Sequence, residues 1–303
     1  MWGILIMLKN DRLITAMITP FLDNGDVDIE TSKKLAISWT KSGSDAILIG
    51  GTTGESPTLS DDEKLELFKN VKDAVGGNAR VIAGTTDNNN KKSIELSIEA
   101  ENLGVDGLLL TVPSYNKPTQ QGLIDHFNKI ADSVNIPCIL YNVPGRTALN
   151  MEAETTHKLS FHENIIGIKE ASSDLSQITK IINNSSNSNF KVWSGNDDET
   201  FSIMALGGFG VVSFASNIVG NQIKPMMGAV LEGNIDSPAN HHKELLPLFQ
   251  ALFWVTNPIL IKRALNISGY DVGGLRLPMI DSQEFDREFS ELLSKYDIDI
   301  TKT

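Results

Sequence analysis

Short apolar runs rich in β-branched residues alternate along the chain with amphipathic stretches. The runs at 14–19, 46–50, 80–84, 107–111, 138–141, 165–170, 191–194 and 211–214 read as strands. Most are apolar throughout rather than at every second position. That pattern suits strands covered on both faces, as parallel strands are.

Helical patterning follows nearly every run. Ser60-Asp61-Asp62-Glu63 ahead of Leu65, Leu67 and Phe68 is a capping-box signature. Residues 93–102 and 121–131 carry apolar positions three and four apart. Strand-like runs that each lead into a helix predict an α/β protein, a closed (β/α)8 TIM barrel rather than an open sheet. The repeat ends near Gly233, and from Pro238 onward the pattern is helical alone. Thr256-Asn257-Pro258 reads as an N-cap followed by proline in the first helical turn. The expected organisation is a catalytic barrel over 1–235 and a C-terminal helical extension over 236–303. The Asn- and Ser-rich stretches 87–90 and 183–189 read as solvated loops.

Composition narrows the functional classes. A net charge of −12 and a pI near 4.9 argue against nucleic acid or an anionic membrane as partner, and leave the substrate open. The single cysteine, Cys138, lies in an apolar run and is expected to be buried and inert in a reducing compartment, the cytoplasm. The apolar start, residues 1–8, is far shorter than the ~20 residues of a membrane span. It lacks the basic region and cleavage site of a signal peptide. Met7 is as plausible an initiator as Met1.

Barrel enzymes gather their chemistry at the carboxyl ends of the strands. After the second run stands Gly50-Gly51-Thr52-Thr53-Gly54-Glu55-Ser56, whose backbone N–H groups suit a carboxylate or phosphate, or form only a tight turn. After the fourth comes Ser114-Tyr115-Asn116-Lys117-Pro118. After the fifth comes Tyr141-Asn142-Val143-Pro144-Gly145-Arg146-Thr147, where Arg146 suits a two-pronged carboxylate clamp or a surface ion pair. Lys169 ends the otherwise apolar sixth run. Burial would lower its pKa and make the amine a nucleophile for a carbonyl. The alternatives are a lysine reaching the rim or one paired with Glu170. Asp197-Asp198 after the seventh run invites a metal, but His126, His157, His162, His241 and His242 show no ligand spacing at strand ends, so no metal or other cofactor is expected. The stretch 23–28 mimics part of a calcium loop without its twelfth-position Glu and reads as a turn into a helix.

Taken together, Gly-Gly-Thr-Thr-Gly-Glu-Ser (50–56), Tyr-Asn-Lys-Pro (115–118), Tyr-Asn-Val-Pro-Gly-Arg-Thr (141–147), Gly-Ile-Lys-Glu (167–170), Ser-Gly-Asn-Asp (194–197) and Leu-Arg-Leu-Pro-Met (275–279) resemble the dihydrodipicolinate synthase family. They occur in family order from about residue 12 onward. The resemblance implies a metal-free lyase that condenses pyruvate with L-aspartate 4-semialdehyde through a Schiff base, at the entry to diaminopimelate and lysine. It implies Lys169 as the imine-forming residue and Tyr141, Thr53 and Tyr115 as a hydroxyl relay, with Tyr115 serving a neighbouring subunit. Thr52 and Thr53 match the pyruvate-carboxylate site, and Arg146 the clamp for the semialdehyde carboxylate. Gly195 and Val212 match backbone positions lining the pocket. A homotetramer built as a dimer of dimers is the implied assembly.

The chain departs from the family pattern at Ala148, where many members carry glycine, and at Ser114, in place of a frequent aromatic. Lys64 and Lys92 stand where lysine-inhibited members carry histidine and glutamate, which predicts weak feedback by L-lysine. Rival readings are a sialic acid lyase or keto-deoxy sugar acid aldolase, expected to lack an arginine at 146, and a non-catalytic ligand-binding barrel, which would not need an imine-forming amine.

Overall fold

A computed structural model describes residues 10–185 and 189–300. The apolar start and the choice between Met1 and Met7 lie outside the described residues. Eight parallel strands, β1 (Leu13–Ala16), β2 (Ala46–Ile49), β3 (Arg80–Gly84), β4 (Gly107–Thr111), β5 (Cys138–Asn142), β6 (Ile165–Glu170), β7 (Lys191–Ser194) and β8 (Gly210–Ser213), hydrogen-bond in sequence order as a closed barrel. The helices are α1 (Ile29–Lys41), α2 (Asp61–Val75), α3 (Asn90–Asn102), α4 (Gln120–Ala131), α5 (Pro144–Thr147), α6 (Ala153–Leu159), α7 (Leu175–Ser185), α8 (Thr200–Ala205), α9 (Ser216–Leu231), α10 (Asp236–Ala251), α11 (Ile259–Ile267) and α12 (Asp286–Leu293). The predicted (β/α)8 barrel with C-terminal helices is the observed fold. The strands are buried almost throughout, as their unbroken apolar runs require.

The chain forms two compact units, one of Met1–Arg12 with Val81–Val212, the other of Leu13–Arg80 with Ser213–Thr303. In the first, β5, β6 and β7 run in register with Tyr141 opposite Lys169 and Lys169 opposite Trp193. Gly167 is dictated by this packing. A Cβ there would lie 2.4 Å from the Lys191 carbonyl oxygen and 2.5 Å from the Trp193 ring. Trp193 is thereby buried against β6, and its indole N–H donates to the Asp11 carbonyl at 2.9 Å. Cys138 is buried, and burial, with a smaller push from Glu101, raises its thiol to about 12. It is the inert core residue expected.

In the second unit Asp28 caps α1 by accepting from the Thr31 N–H at 2.9 Å, so residues 23–28 are the expected turn into a helix. Ser60 and Glu63 close the capping box of α2 in both directions. Two local expectations fail. Pro258, not Thr256 or Asn257, occupies the N-cap of α11, and its hydrocarbon ring can make no side-chain cap bond; the Asn257 side chain makes a distant contact described below. Residues 183–185 belong to α7, whose apolar face buries Ile178, Ile181 and Ser185 and carries the helix into the polar stretch.

Candidate active site

Lys169 sits at the end of β6 and is 6 % exposed. Successive strand residues point to opposite faces, so Lys169 and Glu170 diverge. The Glu170 carboxylate accepts from Asn142 Nδ2 at 3.1 Å on each oxygen and from the Ser172 N–H at 2.8 Å. Burial pushes Glu170 up to about 7 against the pull of these bonds. The Lys169–Glu170 pair is therefore excluded by geometry, and burial excludes a lysine reaching into solvent. Lys169 Nζ instead lies 4.2 Å from the centre of the Tyr141 ring. Burial lowers its pKa from 10.5 to about 7, with Asp197 opposing and Arg146 assisting. A large fraction of the amine is thus neutral near pH 7, as a nucleophile must be.

Arg146 lies in the short α5, which Pro144 opens at its first turn, and the side chain is exposed. Ala148 follows in the left-handed region at φ 59°. Glycine adopts that conformation without penalty, whereas a Cβ costs about 1–2 kcal/mol there. Tyr115, also left-handed at φ 70°, is 91 % exposed, and its N–H donates to the Thr147 carbonyl at 3.3 Å. The Tyr115 loop is thereby tied to the Arg146 turn. Gly195 donates its N–H to the Glu170 carbonyl at 2.7 Å, and a Cβ there would meet that of Ala171 at 2.6 Å. Val212 is buried near the end of β8. Asp197, read from sequence only as half of an acidic pair, is buried and acts as counter-charge to Lys169, whereas Asp198 is exposed. Among the described residues no cluster of three or more His, Cys, Asp or Glu could hold a metal ion.

Thr52 and Thr53 belong to the second unit, on the turn that follows β2. Gly50 takes φ 68° and Glu55 φ 54°, and the Thr19 hydroxyl donates to the Gly54 carbonyl at 2.7 Å. Thr53 is buried, and its Oγ1 accepts from Asn257 Nδ2 at 3.0 Å. The Thr52 hydroxyl has no hydrogen-bond partner among the described residues. Asn257 is a residue that sequence reasoning missed as part of the site; its Asn-Pro context resembled a helix cap, and no local signal reveals a partner two hundred positions away.

The far end of the same turn is anchored electrostatically. Glu55 accepts from Lys262 Nζ at 3.0 Å and from the Arg276 N–H at 3.0 Å. The Arg276 guanidinium grips both oxygens of Glu63 and donates to the Thr58 and Gly25 carbonyls. It lies 4.5 Å from the Phe21 ring centre. Arg276 thus carries the structural meaning of the Leu-Arg-Leu-Pro-Met motif, and it is the main reason that Glu63 is held down at about 2.

The family model of the dihydrodipicolinate synthetase family matches residues 9–295. The chain belongs to that family. A 4-hydroxy-tetrahydrodipicolinate synthase of Dehalococcoides mccartyi is 51% identical over 295 residues, covering 97% of this chain and 99% of that one. One of Halalkalibacterium halodurans is 48% identical over 269 residues, covering 89% and 91%. Among solved structures, a dihydrodipicolinate synthase of Bacillus anthracis superposes with a TM-score of 0.92 at 39% identity, covering 96% of this chain and 99% of that one. The Cyanidioschyzon merolae family member, solved with lysine bound, gives 0.90 at 43% identity, covering 94% and 96%.

Proposed function

We propose that this chain is the lyase that joins pyruvate to L-aspartate 4-semialdehyde, forming 4-hydroxy-tetrahydrodipicolinate, the entry to diaminopimelate and lysine. The observation that carries the reading is a buried Lys169, its pKa lowered by burial, packed on Tyr141 at the end of a barrel strand. The Lys169 amine attacks the pyruvate ketone, and loss of water leaves a protonated imine. That imine withdraws electrons, so the methyl group loses a proton and becomes an enamine carbon. The enamine attacks the semialdehyde carbon. The substrate's own amine then displaces Lys169 from the imine carbon, which closes the ring and frees the enzyme.

Thr52 and Thr53 hold the pyruvate carboxylate, and Arg146 takes the carboxylate of the second substrate. Tyr141, Tyr115 and the threonine hydroxyls pass protons without adding fixed charge to a site that already holds two carboxylates. Of the two threonines, Thr52 has the hydroxyl left uncommitted, whereas Thr53 is oriented by Asn257. Gly195 and Val212 line the pocket through their backbone. The exposed, outward-held Tyr115 supports a site completed by a neighbouring subunit in a homotetramer. The cytoplasm suits a chain whose one cysteine is a buried free thiol. No described helix is long and apolar enough to cross a membrane. Arg146 favours an anionic acceptor over a sugar aldehyde.

The test is incubation with pyruvate and borohydride followed by peptide mapping, alongside a coupled assay with both substrates. One reduced pyruvate adduct per chain on Lys169, with turnover of the semialdehyde, is the expected result. An adduct elsewhere, or turnover without any adduct, overturns the mechanism.

A further inference from the structure

On the face of β6 opposite the Lys169 amine, Asn142 and Glu170 are register partners, and both are fully buried. Besides its bonds to Glu170, Asn142 Nδ2 donates to Asn150 Oδ1 at 2.8 Å, and Asn142 Oδ1 accepts the Met151 N–H at 2.9 Å. Asn150 and Gln177 exchange amide bonds: Asn150 Nδ2 donates to Gln177 Oε1 at 2.8 Å, and Gln177 Nε2 returns to Asn150 Oδ1 at 3.1 Å. Gln120 Nε2 holds the Asn150 carbonyl at 2.8 Å.

These bonds join β5, β6, α4 and α7 to both ends of one turn. The turn leaves β5 at Asn142 and is recaptured at Asn150 and Met151; Arg146 lies between. The Arg146 side chain is exposed, and the backbone that carries it is fixed at both feet. Buried polar networks with every member satisfied are rigid, and loss of one member leaves others unpaired.

We propose that Asn142, Asn150, Glu170 and Gln177 form a buckle that sets the reach of Arg146. The buckle thereby selects acceptor aldehydes by the distance between their carboxylate and their carbonyl carbon. This rests on Arg146 being the acceptor-carboxylate clamp. The four are positioning residues, and none touches substrate.

The experiment compares Asn150→Ala and Gln177→Ala with Arg146→Ala and the parent enzyme. It measures KM for the semialdehyde, kcat, the rate of pyruvate trapping, and amide hydrogen exchange at Met151. Misplacement of a positioning group by about 1 Å can cost up to ~100-fold, so the buckle variants are expected to raise the semialdehyde KM by about tenfold or more, with trapping changed less than about twofold. Met151 exchange is expected to accelerate. Gln177→Glu, which keeps an acceptor for Asn150 Nδ2, is expected to recover part of the KM. If Arg146→Ala leaves the semialdehyde KM unchanged, the clamp reading fails and the proposal falls with it. If Arg146→Ala raises that KM but the buckle variants do not, the clamp stands and the buckle is refuted. Trapping that falls in step with the KM overturns it as well, since the network would then serve Lys169.

Discussion

Tyr141 and Lys169 face each other in register on β5 and β6, and the lysine nitrogen stands 4.2 Å from the tyrosine ring centre. A ring face stabilises an ammonium by about 0.5–2 kcal/mol. Burial acts in the opposite direction and prevails, because the amine's pKa falls to about 7. The contact positions the amine more than it charges it.

The rate of imine formation should therefore follow the neutral amine. Trapping rates measured between pH 5.5 and 9 are expected to rise through about 7 and level off above it. A rate that is flat across this range would show that the buried amine is not the nucleophile. Lys169→Arg should form no adduct, because a guanidinium stays protonated.

The same burial carries a stability cost. A lowering from 10.5 to about 7 corresponds to roughly 4 kcal/mol at neutral pH. Between those values the unfolded chain binds the proton and the folded chain does not, so folding stability from this group rises with pH. Lys169→Met should raise the midpoint of thermal unfolding at pH 7, by less at pH 10. A midpoint that drops at pH 7 would mean that the amine is stabilised rather than strained in its pocket.

Arg276 and Glu63 offer a test of the anchored turn. Both are about three-quarters buried, so Arg276→Leu should cost roughly 2–3 kcal/mol, below the 3–5 of a fully buried pair. Because Glu63 is held at about 2 rather than 4.5, its contribution is present above 4.5 and is lost as pH falls toward 2. Denaturant titrations at pH 7 and pH 3 should show the gap between variant and parent narrowing at the lower pH. Arg276→Lys should not restore it, since an ammonium cannot span both carboxylate oxygens.

Asn257 should matter to pyruvate rather than to the acceptor. Removing its bond to Thr53 with Asn257→Ala forfeits about 0.5–1.5 kcal/mol, or roughly 2- to 13-fold in the pyruvate KM. Initial-rate kinetics with each substrate varied in turn would reveal the split. An equal rise in both KM values would place Asn257 in general packing.

L-lysine should inhibit weakly or not at all. Asn88, near Lys92 in sequence, spends its side-chain amide on Ser114, donating to its carbonyl at 2.9 Å and accepting its N–H at 3.1 Å. Lys92 is exposed, and Lys64 stands 3.9 Å from Asp61. Lysine at either position adds positive charge, which disfavours a cationic ligand. Strong inhibition at submillimolar lysine would refute this.

The barrel, the capping box of α2 and the candidate lysine were legible in the chain because each depends on neighbours within a few residues. Strand periodicity, Ser60 with Glu63, and a lone charge ending an apolar run are all local signals. What the lysine faces was not local. Only the register of β5 against β6 set Tyr141 beside it and turned Glu170 away to Asn142, and only the fold drew Asp197 into the core as a counter-charge. Asn257 was misread for the same reason: an Asn-Pro pair looks alike whether it caps a helix or reaches a threonine 204 positions away. Covalent spacing along the chain determines which groups are available. Burial and side-chain pairing, which arise only when distant segments pack, decide which of them is neutral, oriented and reactive.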